Sequence, residues 1–534
     1  MSASRHWYPP SHPSYHALPK SHEDFDSIRS KSTAGTGTNF YDRSLTVRMY
    51  ALVGVAFSTI ISCCCITTGI VIIIIQGANG VTPLMRLTGA MQDSDLPFEI
   101  LKLILNLLVT ICTESTGFVH NISLRSALAS DSRLRFNTNL RLLTAGHGWR
   151  NPNGTLFNGI MVILLVISYT SSSLVVYINY AYSSDGSHAD YVAIAGLPLF
   201  LLGIALLLQV VIAIAGIRAV EIPTWSSSPF DLTAALVHHT QLTPVAFRCM
   251  RSVSDMNGDG GPATPSKTQP SAWRAHPSIR KVVIFLWVVV AACAGWGAFV
   301  MHIWDKVPST RFSSPPLAMS TWSLSFNEKS NYIGYYMPDA GPQWWILVFI
   351  NLAVVQGPLT LALHCSELIA NVIRDERQWR HATTRKGLHT ATNPLTAILT
   401  HPICIVLFVT KPFLHWMFGL SFVVSDGAAD GVLGRFAIFM LTAQIWNLCI
   451  ALFILACCFT FVALRRPRGP QPATYGHLQT LANVVDEWSP VMWWGHKGDG
   501  PQCCHAGTSD HPLPDVRMGF AYAGSDVKSS ASVS

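Results

Sequence analysis

Six stretches of this sequence, residues 48–76, 157–180, 191–217, 282–304, 344–373 and 432–464, are each apolar over more than 20 residues. That length carries a helix across about 30 Å of hydrocarbon. Such runs leave few folds open, because backbone polar groups in lipid must be satisfied within the segment itself, as a helix does. Two further runs, 97–118 and 395–424, are interrupted, the first by Glu99, Lys102 and Glu114 and the second by Lys411-Pro412. In 97–118 apolar residues at roughly −0.5 kcal/mol each offset charges that cost under about 3 kcal/mol away from the bilayer centre, so insertion beside neighbouring helices is expected. The expected fold class is all-α: a polytopic transmembrane bundle of about eight spans, with disordered tails. Composition agrees: 50% of residues are hydrophobic and 12% charged, against about 25% charged in an average soluble domain. The lipid bilayer is therefore the first partner, and the net charge of +7 reads as positive-inside bias rather than nucleic-acid binding, since the basic residues flank apolar runs.

Those basic residues set an orientation. Arg125, Arg133, Arg135, Arg141 and Arg150 face one acid, Asp131, after the second run; Arg248, Arg251, Lys267, Arg274, Arg280 and Lys281 follow the fourth; Arg374, Arg377, Arg380, Arg385 and Lys386 follow the sixth. The alternate connections are near neutral or acidic, and Arg465, Arg466 and Arg468 close the last run. This predicts both termini in the cytosol, in a plasma or internal membrane. None of the thirteen cysteines falls in an expected outer loop, which excludes an extracellular disulfide framework. The triplets Asn121-Ile122-Ser123 and Asn153-Gly154-Thr155 lie on the inner side and are expected to be unused as glycosylation sites.

The chain divides into a disordered cytosolic tail (1–47), a first four-helix half (48–222), a cytosolic loop and flexible linker (223–279), a second four-helix half (280–469) and a cytosolic tail (470–534). In that last tail Leu478, Leu481, Val485 and Trp488 form one apolar stripe of a short helix, expected to dock on protein because its polar face bears Asp486 and Glu487; disorder is expected beyond it. Cys503-Cys504-His505 with His511 is too irregular for a metal motif.

Two helices end alike, on Cys112-Thr113-Glu114 and on Cys365-Ser366-Glu367, each before an arginine-rich loop. Pro223-Thr224-Trp225 before Leu232 and Ala473-Thr474-Tyr475 before Leu481 match at nearly the same displacement after a fourth helix. Agreement in order and spacing predicts an internal repeat of two parallel halves. Along 97–118, Glu99, Lys102, Asn106, Thr110, Thr113 and Gly117 share one face, and Gly357, Thr360, His364, Glu367 and Asn371 do so in the sixth helix. An interhelical hydrogen-bonding face is the plain explanation. One wall of a transport path is the sharper one, with Glu114, Glu367, His364, Lys411, Glu99 and Asn106 as candidates, since ionisable groups inside lipid are costly.

Three segments carry a resemblance: Leu134-Arg135-Phe136-Asn137-Thr138-Asn139-Leu140, His364-Cys365-Ser366-Glu367-Leu368-Ile369 to Arg374-Asp375-Glu376, and Tyr475-Gly476-His477-Leu478-Gln479-Thr480-Leu481 to Trp494-Gly495-His496-Lys497. In these the chain resembles uncharacterised multi-pass membrane proteins of filamentous fungi. The resemblance implies topology and no activity.

Two functions follow as expectations. One is a transporter or channel for a small cation, proton or polar solute. The other is a sensor or scaffold that presents cytosolic loops and the tail helix to protein partners, including a seven-span receptor-like variant in which 97–118 does not cross. No cofactor fingerprint, metal set or catalytic signature is present, and the histidines show no recurring clustering, so no enzyme, cofactor or metal is expected.

Overall fold

The computed structural model describes residues 45–77, 80–86, 96–182, 188–255, 261–306, 322, 331–336, 342–390, 401–429, 432–500 and 502–523. The tail expected to be disordered over 1–47 lies outside these residues as far as position 44. Long helices dominate. In chain order they are α1 (Leu45–Gln76), α2 (Leu96–Ser130), α3 (Thr155–Val175) and α4 (Gly196–Arg218). A short α5 (Pro229–His238) precedes α6 (Pro277–Lys306) and α7 (Pro342–Cys365), which breaks at Ser366 and continues as α8 (Glu367–Arg380). Then come α9 (Pro402–Ser421), α10 (Thr442–Leu464) and the short α11 (Leu478–Val484).

Seven of these helical segments, counted among the described residues, are long and apolar enough to cross a membrane. Their outward faces carry exposed Ile60, Ile74, Val288, Val354, Phe453 and Phe461. Large apolar side chains left exposed over so many helices belong in hydrocarbon rather than water; the protein is membrane-embedded. An eighth long helix, α2, runs 35 residues, about 52 Å at 1.5 Å per residue, and carries Glu99, Lys102 and Glu114 within its bilayer-length stretch.

The fold departs from a purely helical one at the end of the bundle opposite the arginine-rich loops. Strands β1 (Val81–Arg86), β2 (Val176–Tyr182), β3 (His188–Ala195), β4 (Tyr332–Tyr336), β6 (Phe422–Ala429) and β7 (Val432–Leu441) form one six-stranded sheet in the order β1-β3-β2-β6-β7-β4. The expected spans 157–180, 191–217 and 432–464 therefore overran their helices. Val176, Ile178, Val192 and Phe436 are as apolar as helix residues, and β-branched and aromatic side chains suit a strand. The central contact, Asn179 with Asp426, is parallel, and the other pairings are antiparallel. Strands β1 and β4 each follow the first long helix of their group, β2 and β6 continue the third, and β3 and β7 lead into the fourth. Helix packing is reciprocal in the same way: α1 lies on α4 and α6 on α10, while α2 contacts α9 and α3 contacts α7.

At the arginine-rich end the expected disorder beyond residue 489 is corrected. Strand β8 (Val491–Asp499) pairs with β9 (Cys504–Ser509) and with the two-residue β5 (Leu388–His389). They close over a core of their own that includes Phe230, Met250, Trp379, Trp488, Trp494 and Tyr522. The expected flexible linker is likewise held where it is described, by a bridge between Ala263 and Tyr522. The tail folds because its tryptophans find cover on loop and helix residues far away in sequence. Leu478, Leu481, Val485 and Trp488 are all buried in this unit, so the stripe expected to dock on a partner is already covered by its own chain, and the helix stops at Val484.

Polar groups tie this unit to the bundle. Arg125, near the end of α2, donates to Asn137 Oδ1 at 3.0 Å and to the carbonyls of Thr224 and Ser226. Asn137 donates in turn to Asp375 Oδ2 at 2.9 Å. Glu376 Oε2 accepts the backbone N–H groups of Thr474 and Tyr475, both at 2.9 Å. Three segments distant in sequence, around 134–140, 374–376 and 475–481, thus meet at one junction. Phe136 packs there between the rings of His276 and His477. Burial pushes the His276 imidazole down to about 4, and burial with the neighbouring Arg135 and His276 does the same for His477. The thirteen cysteines are all free thiols. Asn153 is fully buried, accepting from Ser123 and donating to the Gly216 carbonyl, which leaves its amide inaccessible to glycosylation.

Candidate functional site

The two helices that end on matching triplets bring their glutamates to one point. Glu114 sits just past the middle of α2, and Glu367 begins α8, just past the break at Ser366. Opposite them, Lys411 projects from the middle of α9, one residue before Pro412, within an unbroken helix. Its ammonium contacts Oε1 of both Glu114 and Glu367. His364, three residues before Glu367 and so on the same face, places Nδ1 3.0 Å from Glu367 Oε1 and 3.5 Å from Glu114 Oε1. Four of the six transport-path candidates therefore form one constellation. Lys411 and His364 are buried, whereas Glu114 and Glu367 keep about a quarter of their side-chain surface, 28% and 25%.

Glu114, His364 and Glu367 bring potential ligand atoms within 4.8 Å of one another, a donor set that suits a divalent cation in principle. Lys411 already places a positive charge against both carboxylates, so the ammonium occupies the oxygens a metal would need and the set does not favour one. A second group, His496, Asp499 and Cys504, meets at the β8–β9 turn; there Arg517 lies 3.3 Å from each Asp499 oxygen. The sequence spacing had set aside Cys503-Cys504-His505 with His511, and of those four only Cys504 enters this group.

From the constellation a buried polar column runs toward the six-stranded sheet. Tyr169 of α3 shares hydrogen bonds with Thr110 at 3.1 Å and Thr113 at 3.3 Å, and stacks on the His415 ring at 3.7 Å. Gln356 Nε2 lies 3.2 Å from His415 Nδ1 and donates to Ser173. Ser172 donates to Asn106 Oδ1 at 2.9 Å. Beyond Asn106, Lys102 is 3.8 Å from Glu99, whose Oε2 accepts from Trp416 Nε1 at 2.8 Å. Asn106 and Glu99 are thus placed along the column rather than in the constellation. Sequence reading missed Tyr169 and Gln356. The serine run 168–173 reads as self-bonding helix residues, and only the fold reveals that the Tyr169 hydroxyl within it reaches Thr110 and Thr113 of α2. His364 Nε2 and His415 Nε2 are buried with no hydrogen-bond partner among the described residues.

On the other side of the constellation lies a cavity of about 380 Å³. It reaches from Lys411, Glu114, Glu367 and His364 to the 137–142 segment at the arginine-rich end, between α1, α2, α8 and α9. The charged cluster is therefore the floor of an open space and the start of a closed column.

No family model matches this chain, and no curated protein or solved structure does so either.

Proposed function

We propose that this protein is a transporter for a small polar solute, with proton exchange at the Lys411 constellation as its coupling step. The observation that carries this reading is the contact of one buried ammonium with two carboxylates of different helices, at the closed end of a cavity. Two carboxylates against one ammonium leave a single negative charge, which a proton on His364 would balance. Two states one proton apart, placed between an open cavity and a buried polar column, are what coupling requires. A conduit for free cations is less well supported, since Lys411 would repel them at the end of the cavity.

The same reading takes α2 as an eighth span, the arginine-rich end as cytosolic, and both termini inside. It also takes the two groups of four long helices as parallel repeats about an axis along the membrane normal. The mirrored strand order around a parallel central pair supports this, because rotation about an axis along the strands preserves their direction. So do the reciprocal contacts of α2 with α9 and α3 with α7. A scaffold would have to present the cytosolic loops, since the stripe of Leu478, Leu481, Val485 and Trp488 is covered.

The test is proton movement in reconstituted vesicles carrying an internal pH dye, challenged with a defined mixture of amino acids, sugars and organic acids. Solute-dependent acidification is expected with the parent protein, and its loss in Glu114→Gln and Glu367→Gln. Equal acidification by folded variants would overturn the reading.

A further inference from the structure

The cavity wall is not evenly satisfied. Of the cationic groups that line it, Arg125 is committed to Asn137, Thr224 and Ser226, Arg374 pairs with Asp375, and Lys411 is held by the two glutamates. Arg141 differs. Its guanidinium approaches Gly117 by the Nη1 edge, so close that a Cβ there would fall 1.7 Å from Nη1, and it makes no hydrogen bond or ion pair among the described residues. The amides of Asn121 and Asn371 line the same cavity and also make no hydrogen bond within the described residues. Around them stand Ile111, Phe118, Leu407 and Phe408.

Resting on the transport reading above, we infer that the solute is an organic monocarboxylate, bound through its carboxylate by Arg141 and through its apolar body by the wall residues. The guanidinium fork matches a carboxylate in two parallel hydrogen bonds. Arg141, the one cation of the cavity wall without a hydrogen-bonded or ion-paired partner among the described residues, matches one negative charge, where a dianion would need a second. The free amides supply further donors, and a volume of about 380 Å³ falls in the usual range for small-ligand sites. The chemistry also fits the constellation beneath, because a carboxylate moving with one proton carries no net charge across the bilayer. Gly117 is part of the device: a side chain there would collide with Nη1, so its absence leaves the guanidinium room at the cavity wall.

The experiment is thermal unfolding of the full-length protein in detergent, titrated with hexanoate, hexylamine, hexanol and inorganic phosphate. Hexanoate is expected to raise the unfolding temperature saturably, with the other three ineffective. Arg141→Gln is expected to weaken the hexanoate effect roughly 10- to 100-fold, the range for losing hydrogen bonds to a charged group. Gly117→Ala, which displaces the guanidinium without removing it, is expected to weaken it less. Stabilisation by hexanol equal to that by hexanoate, or an unchanged response in Arg141→Gln, would overturn the inference. Binding in detergent needs no flux, so hexanoate stabilisation without proton movement in vesicles would remove the transport reading alone. Proton movement driven by other solutes, with no hexanoate response, would remove this inference alone.

Discussion

Replacing Lys411 with methionine tests the constellation where it is most exposed to error. Methionine keeps the unbranched stem, one atom shorter, and removes the ammonium. Glu114 and Glu367 then face each other without the ammonium that both contact. Removing one partner of a buried ion pair costs about 3–5 kcal/mol, because the other partner stays desolvated. Here Lys411 is 2% exposed, but the glutamates keep 28% and 25% of their side-chain surface, so cavity water shields them and the lower end, about 3 kcal/mol, is expected. Adding Glu114→Gln and Glu367→Gln to Lys411→Met removes the stranded charges, and this triple variant should recover to within about 1 kcal/mol of the parent. The three substitutions share one contact network, so their effects should be far from additive. The assay is unfolding in mixed micelles titrated with sodium dodecyl sulfate, followed by tryptophan fluorescence. A Lys411→Met protein as stable as the parent, or a triple variant no more stable than Lys411→Met, would refute the reasoning.

Other consequences follow from the inner unit. His276 and His477 are buried, with folded values near 4 against an ordinary value of about 6.5. The unfolded chain therefore binds protons first. Their contribution is intact above about pH 6.5 and declines as the pH falls toward 4, by up to about 3 kcal/mol each; His477→Gln should flatten the stability profile over that window, and an unchanged profile would count against it. Deleting residues 470–534 should destabilise the whole protein rather than release a free tail, because Trp379 and Phe230 lose their cover; limited proteolysis of the parent should spare 478–509, and rapid cleavage there would contradict the packing. All thirteen thiols should titrate with a maleimide after denaturation without reductant, and fewer would mean a disulfide the fold does not contain.

How far the sequence revealed this depends on the element. The membrane helices were legible because a run of more than 20 apolar residues has few other solutions. Their ends were not, since Val176, Ile178 and Val192 continue the apolar run while the backbone changes from helix to strand, and hydrophobicity does not register that change. The matching triplets Cys112-Thr113-Glu114 and Cys365-Ser366-Glu367 singled out two glutamates that meet at one lysine, because equivalent places on two helices can face a common neighbour. Tyr169 was hidden in a serine run that looked self-sufficient. The tail was misread because its cover lies on Met250, Ala263 and Trp379, partners that local composition does not disclose.

The central claim is that the Lys411 constellation exchanges protons rather than merely clamping helices. The most direct measurement is solute-dependent proton uptake by vesicles containing the triple variant Lys411→Met, Glu114→Gln, Glu367→Gln, whose stability should be near that of the parent. The account predicts a folded protein with no proton uptake. A folded triple variant that still acidifies its vesicles at the parental rate would contradict it and leave the three side chains with a structural role only.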